Sequence, residues 1–339
     1  MRVLLAGGAG YIGAHTAVSL LDAGHEVVLL DDLSGTSAIA ADRVESITGK
    51  SAPLVVGDAA DVDVVERVFA DHGPIDAIIH LAAFKAVGES TQKPLEYYSN
   101  NVDTTFALLR VGLESGIRSF VFSSTGTVYS DPSDLPFTEE STTSIDLSNA
   151  YSKSKRINEV VLADVARVHP ELNVTVLRYF NPVGAHPSGL IGEDPAGIPN
   201  NLMPFVARVA VGKLEKIGVF GDDYDTVDGT GLRDYIHVVD LAEGHVTALE
   251  QAKPGYVVYN LGTGQPVSVL ELIASFEKAA GHELPKQILD RRPGDVAATY
   301  SDPSKSEREL GWKARLTIDD SCRDYWNWQS RNPDGYQTA

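Results

Sequence analysis

A short apolar run, Val3 to Ala6, ends in Gly7-Gly8-Ala9-Gly10-Tyr11-Ile12-Gly13 and passes at once into an amphipathic stretch, Ile12 to Ala23. No other feature of the chain restricts the fold as much. A strand that turns into a helix within a few residues needs backbone free of Cβ atoms. The G-x-x-G-x-x-G spacing of Gly7, Gly10 and Gly13 supplies it. The helix that follows points unpaired N–H groups and the positive end of its dipole back at the turn, which suits a pyrophosphate. Glycines so spaced are common; their position between a clear strand and a clear helix gives this set its meaning.

The same alternation continues. Glu26–Leu30, Leu54–Gly57, Ala77–His80, Ser119–Ser123 and Val174–Arg178 read as buried strands. Helical patterns lie between them, over Val62–Asp71, Pro94–Ser115 and Ala150–Val168. Strand–helix alternation with right-handed crossovers predicts an α/β fold: a doubly wound parallel sheet of the Rossmann kind. After Asn181 the rhythm breaks. Pro182–Pro204 is rich in Gly, Pro and Asn and reads as loop. Shorter pieces follow: helices over Leu202–Val211, Val238–Leu249, Val269–Ala279 and Ile318–Trp326, and a strand over Ile217–Phe220. The expected division is a dinucleotide-binding domain over 1–180 and a smaller C-terminal α/β substrate lobe over 181–339.

At 339 residues, with 43% hydrophobic and 22% charged residues, the chain is long enough for a sizeable core, and disorder is not expected. The net charge of −19 repels nucleic-acid phosphates, so nucleic acid is not an expected partner. A local arginine cluster is still able to hold a small anion. Cys322 is the only cysteine, which rules out an intrachain disulfide and fits a reducing compartment. No apolar run is long enough for a membrane span, and the N-terminus does not resemble a signal peptide. A cytoplasmic location is expected, with no membrane partner and no metal site.

Two sets of residues suggest chemistry. Asp31 follows the second strand, 18 residues beyond Gly13, where an acid accepts hydrogen bonds from a ribose and repels a 2′-phosphate. That favours NAD over NADP. Asp32 strengthens the bias, and Asp58 after the third strand suits an adenine amino group. The second set is Tyr151-x-x-x-Lys155 on a predicted helix, where positions i and i+4 share a face. A free phenol ionises near pH ~10, and a neighbouring ammonium favours the phenolate at lower pH. Ser123-Ser124-Thr125 ends the fifth strand, at the edge where doubly wound sheets bind ligands, and puts a hydroxyl within reach of a reacting oxygen.

Gly7/Gly10/Gly13, Thr125 and Tyr151-x-x-x-Lys155 resemble the extended short-chain dehydrogenase/reductase family. Longer strings narrow the likeness: Lys85-Ala86-Val87-Gly88-Glu89-Ser90, Arg178 to His186, Gly197 to Pro204, and Gly231 to Val238. These resemble the family's UDP-hexose 4-epimerases, and the likeness runs over essentially the whole chain. It implies tightly bound NAD, a UDP-hexose substrate and a homodimer. By position it implies a proton-transferring Tyr151 with Lys155 and Thr125 beside it. NAD contacts are implied at Gly7, Gly10, Tyr11, Ile12, Gly13, Asp31, Asp32, Asp58, Ala59, Leu81, Ala82, Ala83, Lys85, Asn100, Tyr151, Lys155 and Phe180. Substrate contacts are implied at Asn181, Asn201, Leu202, Phe220, Arg233, Tyr235, Arg292, Asp295 and Thr299. Arg233 and Arg292 make chemical sense as clamps on a diphosphate.

The chain departs from the family pattern in two places. Ala6 stands where Thr is usual, and Asn149-Ala150 where many members have a proline. The reaction implied is oxidation at sugar C4 to a 4-keto intermediate, rotation of the hexose, and re-reduction on the other face, interconverting UDP-glucose and UDP-galactose. The small Thr299 implies room for the 2-acetamido group of UDP-N-acetylglucosamine and UDP-N-acetylgalactosamine. Related 4,6-dehydratases carry an Asp-Glu pair after the hydroxyl residue; Gly126 and Thr127 stand there instead.

Overall fold

The computed structural model describes residues 1–292 and 294–336. Pro293 and residues 337–339, which belong to the expected second lobe, lie outside the described residues. In chain order the strands are β1 (Arg2–Ala6), β2 (Glu26–Asp31), β3 (Leu54–Val56), β4 (Ala77–His80), β5 (Ser119–Thr125), β6 (Asn173–Tyr179) and β7 (Asn181–Val183). They continue with β8 (Ile217–Phe220), β9 (Leu232–Arg233), β10 (Tyr235–His237), β11 (Gly255–Leu261), β12 (Val267–Ser268), β13 (Lys286–Leu289) and β14 (Ala298–Thr299). Seven of them form one sheet in the order β11-β6-β5-β4-β1-β2-β3, and every pairing in it is parallel. The expected doubly wound sheet is present.

Burial on both faces explains why these strands read as continuous apolar runs. Along β1 and β2 the side chains alternate. Val3, Leu5, Val27 and Leu29 enter one core cluster, with Ala17, Leu21 and Leu241; Leu4, Ala6, Val28 and Leu30 enter the other, with Val65, Leu108 and Leu162. The first cluster extends without a break into the C-terminal part of the chain, through Met203, Ile236, Phe276 and Tyr325.

Three features differ from the sequence reading. First, β11 went unread as a strand; it pairs with β6 over seven residues and closes that edge of the sheet. The stretch assigned to the second lobe therefore returns a strand to the first, together with helix Val238–Glu250, which packs against helix Tyr11–Asp22. Second, the single helix expected over Pro94–Ser115 is three pieces: Pro94–Tyr98, a π turn Ser99–Asp103, and Thr104–Glu114. Third, the stretch expected as loop begins with β7, Asn181–Val183; helix Leu202–Ala210 starts where expected and tolerates Pro204 because first-turn N–H groups have no helical partner.

The C-terminal part carries three small sheets, β10–β7, β12–β9–β14 and β13–β8. Asp234 joins several of its segments. Its carboxylate is fully buried and accepts from Thr263 N, Thr263 Oγ1, Gly264 N, Ser301 N and Ser301 Oγ, at 2.6 to 3.2 Å. Capping boxes Ser268/Glu271 and Thr317/Asp320 start the helices Val269–Ala280 and Ile318–Arg331. Cys322 is buried. Among the described residues no helix is long and apolar enough to cross a membrane.

Candidate active site

The chain order runs outward from β1 to β2 and β3 and then returns to β4 on the other side of β1, so the strand order reverses at β1. The C-terminal ends of the strands at this reversal are where a doubly wound sheet holds ligands. The glycine turn lies there, as do Asp31, Leu81 and Thr125.

The turn is built around missing Cβ atoms. Gly7 has φ +81°, and a Cβ on it would stand 2.6 Å from Ala82 N. A Cβ on Gly13 would stand 2.1 Å from Gly7 O. Gly10 caps helix Tyr11–Asp22 in extended conformation with no side-chain bond to the helix, and no acid occupies the first turn. The first N–H groups of the helix therefore point at open backbone, with the positive dipole end behind them. These residues fit a dinucleotide: the cradle is one that any side chain would fill.

Asp31 braces this turn from behind. Its carboxylate, 9% exposed, accepts from Ala9 N and Leu33 N, both at 3.0 Å. Burial pushes its pKa up, and the backbone hydrogen bonds from Leu33 and Ala9 oppose the shift. Each oxygen keeps a lone pair for a ribose hydroxyl. Thr36 closes the same loop by donating to Ala9 O at 2.6 Å. Asp32 is exposed and accepts from Ser34, and Asp58 is exposed at the end of β3 and accepts from Ala60 N at 2.8 Å. Ala59 is buried. Leu81 and Ala82 both donate backbone N–H to Ala6 O, which holds the segment Leu81–Lys85 against the glycine turn. Asn100 lies in the π turn, a helix defect found often at functional sites. Beside it, buried Asn101 bonds both the N–H and the carbonyl of Phe84.

Across the turn stands helix Ala150–Val168. Asn149 starts it as the N-cap, accepting from Ser152 N at 2.9 Å, and Ala150 is its first residue. Lys155 is 3% exposed and donates to Ser123 O at 2.7 Å, with its ammonium 4.8 Å from the centre of the Phe122 ring. Burial lowers its pKa to about 7, against the pull of Glu159. Tyr151, one turn earlier, is half-buried; burial pushes its phenol up, and the Thr125 hydroxyl opposes the shift. Phe180 covers Gly126, where a Cβ would stand 2.7 Å from its ring.

Sequence reasoning missed the groups that hold this arrangement. Arg178 grips Glu159 with two hydrogen bonds, at 2.7 and 2.9 Å, and the two side chains are 4% and 0% exposed. Ser124 donates to the same carboxylate at 2.6 Å, tying the end of β5 to the Lys155 helix. Glu193, 5% exposed, receives Lys85 Nζ at 3.4 Å and Asn201 Nδ2 at 3.3 Å, linking a residue expected at the cofactor to one expected at the substrate. Neither acid has a local pattern that marks it.

The residues expected to bind substrate fall into small groups. Arg292 lies over the Phe220 ring at 3.8 Å. Arg233 pairs with Asp295 at 2.6 Å, and Thr299 is its register partner across β9 and β14, so Thr299 shares the face of Arg233. Asn181 is the register partner of buried Tyr235, and Leu202 begins its helix next to exposed Asn201. A cavity of about 710 Å³ lies between the Ser34–Ser37 loop and Glu193–Gly197, next to the Asp31 turn. Another, of about 580 Å³, opens against Arg178 and Tyr256, and neither cavity is lined by an expected binding residue.

Sheet order, glycine turn and buried lysine together define a dinucleotide-binding α/β protein of the short-chain dehydrogenase/reductase type. Residues 3–262 match the NAD dependent epimerase/dehydratase family, and the chain belongs to that family. It is 53% identical to UDP-glucose 4-epimerase of Bacillus subtilis over 100% of both chains. Among solved structures it is similar to UDP-glucose 4-epimerase from Bifidobacterium longum in complex with NAD+ and UDP: 53% identity, TM-score 0.95, covering 99% of this chain and 100% of that one. It is also similar to the UDP-Glc/GlcNAc 4-epimerase of Campylobacter jejuni, with 34% identity, TM-score 0.85, and 97% and 99% coverage.

Proposed function

We propose that this protein interconverts UDP-glucose and UDP-galactose by oxidation at C4, rotation of the 4-keto hexose and re-reduction. The observation that carries the reading is Lys155: an amine buried against Ser123 O near the end of β5, one helical turn from Tyr151, whose phenol meets the Thr125 hydroxyl. Bound NAD would supply the hydride acceptor and donor for sugar C4. The chain's own residues do the rest. Gly7, Gly10 and Gly13, the N–H groups of Tyr11 and Ile12, and Asp31, Asp32, Asp58, Ala59, Leu81, Ala82, Ala83, Lys85, Asn100 and Phe180 hold the dinucleotide. Tyr151 takes the proton from the C4 hydroxyl and gives it back, and the Lys155 ammonium favours its phenolate. Arg233 and Arg292 grip the diphosphate, while the hexose stays loose enough to offer both faces. Asn181, Asn201, Leu202, Phe220, Tyr235 and Asp295 complete that lobe. Residues 1–180 thus serve NAD and 181–339 the UDP-sugar, with β11 lent back to the sheet.

The small Thr299 on the face of Arg233 supports acceptance of the acetamido sugars as well. A homodimer is supported by exposed Leu95, Phe106 and Val160 on neighbouring helices, a surface a second copy would cover. The lone buried cysteine supports a cytoplasmic location.

Incubation with UDP-galactose and with UDP-N-acetylgalactosamine, followed by product identification, tests the reading. Epimers are expected from both, and no product from UDP-galactose would refute it; failure of the acetamido sugar alone would remove the Thr299 part. Tyr151→Phe is expected to lose on the order of 10²- to 10⁴-fold in turnover. Near-wild-type turnover would refute the base assignment.

A further inference from the structure

Three hydroxyls form a line along the wall of the candidate active site. Ser152 Oγ, 1% exposed, donates to Thr127 Oγ1 at 2.7 Å. Thr127 Oγ1 lies 3.2 Å from Thr125 Oγ1, and Thr127 N also donates to Thr125 Oγ1 at 3.2 Å. Gly126–Val128 is a single 3₁₀ turn capped by Thr125. Ser152 is itself oriented from the other side, because Asn149 Oδ1 accepts from its backbone N–H.

A hydroxyl has one proton and two lone pairs. The Thr127 oxygen accepts from Ser152, and either hydroxyl can donate across the contact between Thr127 and Thr125; a negative oxygen beside Thr125 draws the Thr125 proton to itself, which leaves Thr127 as the donor in that contact. The Thr125 oxygen then accepts twice, from the N–H and the O–H of Thr127. Both lone pairs are engaged, and only its proton is left to offer. We propose that Thr127 and Ser152 are positioning residues that make Thr125 a one-way hydrogen-bond donor toward the oxygen carrying negative charge during the reaction, whether phenolate or sugar alkoxide. Chained hydroxyls also polarise one another, which strengthens the terminal donor. Thr127 is exposed whereas Thr125 and Ser152 are buried, so Thr127 is the member of the line that water reaches. The inference rests on the reading of Tyr151 and Thr125 as the reaction centre.

Thr127→Val keeps the shape and removes the chain's middle hydroxyl. Full-length protein with NAD bound is assayed on UDP-galactose across pH. Thr127→Val is expected to lower kcat about fivefold, the fold-change equivalent to one ordinary hydrogen bond. The acid limb of its kcat profile should move to higher pH, because the phenolate loses support, and KM should stay within about twofold. Ser152→Ala should shift the limb the same way by less, and Thr127→Ser should restore both quantities. A Thr127→Val profile that overlays wild type overturns the proposal. So does a Thr127→Ser as impaired as Thr127→Val, which would assign the effect to packing. Tyr151→Phe is run alongside: if it stays active the reaction-centre reading fails, whereas an inactive Tyr151→Phe with a wild-type Thr127→Val profile rejects the hydroxyl chain alone.

Discussion

Lys155 imposes a cost on the fold, and replacing it exposes that cost. The side chain is 3% exposed, and its pKa falls from the ordinary 10.5 to about 7. Between those values the unfolded chain binds a proton that the folded chain does not, so stability rises with pH across the interval. Below pH ~7 the full penalty applies; at about 1.4 kcal/mol per pKa unit it is on the order of 5 kcal/mol. Above pH ~10.4 it vanishes. Lys155→Met keeps the stem and removes the charge. It also leaves Ser123 O without its donor, which costs about 1 kcal/mol. The nucleotide-free variant should therefore be more stable than wild type by about 4 kcal/mol at pH 6 and by only about 1 kcal/mol at pH 9. Urea unfolding at the two pH values measures this directly, and epimerase turnover should be lost in the same sample. A variant no more stable than wild type at pH 6, or an advantage that does not shrink by pH 9, would refute the reasoning.

Two further outcomes follow from buried groups. Arg178→Met leaves the Glu159 carboxylate without its bidentate partner and should cost about 3 to 5 kcal/mol, read by urea unfolding, whereas the double variant Arg178→Met/Glu159→Leu should recover much of the loss; a single variant of wild-type stability would contradict this. Burial lowers His15 to about 3 and His245 to about 4, so the unfolded chain takes up protons first and stability should fall by several kcal/mol as pH drops from about 6.5 to 4. Paired unfolding curves check it, and His15→Asn/His245→Asn should flatten the decline.

The division between local and long-range information runs through the site itself. The glycine turn, the first six strands of the sheet and helix Ala150–Val168 were legible because each rests on contacts within a few residues: apolar spacing, a turn that tolerates no Cβ, an amphipathic period. Tyr151 and Lys155 share a helical face for the same reason. The π turn at Asn100 escaped because its flanks keep a helical period. β11 escaped although Tyr256-Val257-Val258-Tyr259 is rich in strand-forming residues, because a short run between turns has no partner until the sheet supplies β6. Arg178 with Glu159, Lys85 with Glu193, and Asp234 with Ser301 are separated by 19, 108 and 67 residues. A buried charge needs an opposite charge or several hydrogen-bond partners beside it, and chain order alone does not say which partners the packed sheet will bring near. The residue types and local geometry of the chemistry are written along the chain; their electrostatic support exists only after β5, β6 and the Lys155 helix have packed.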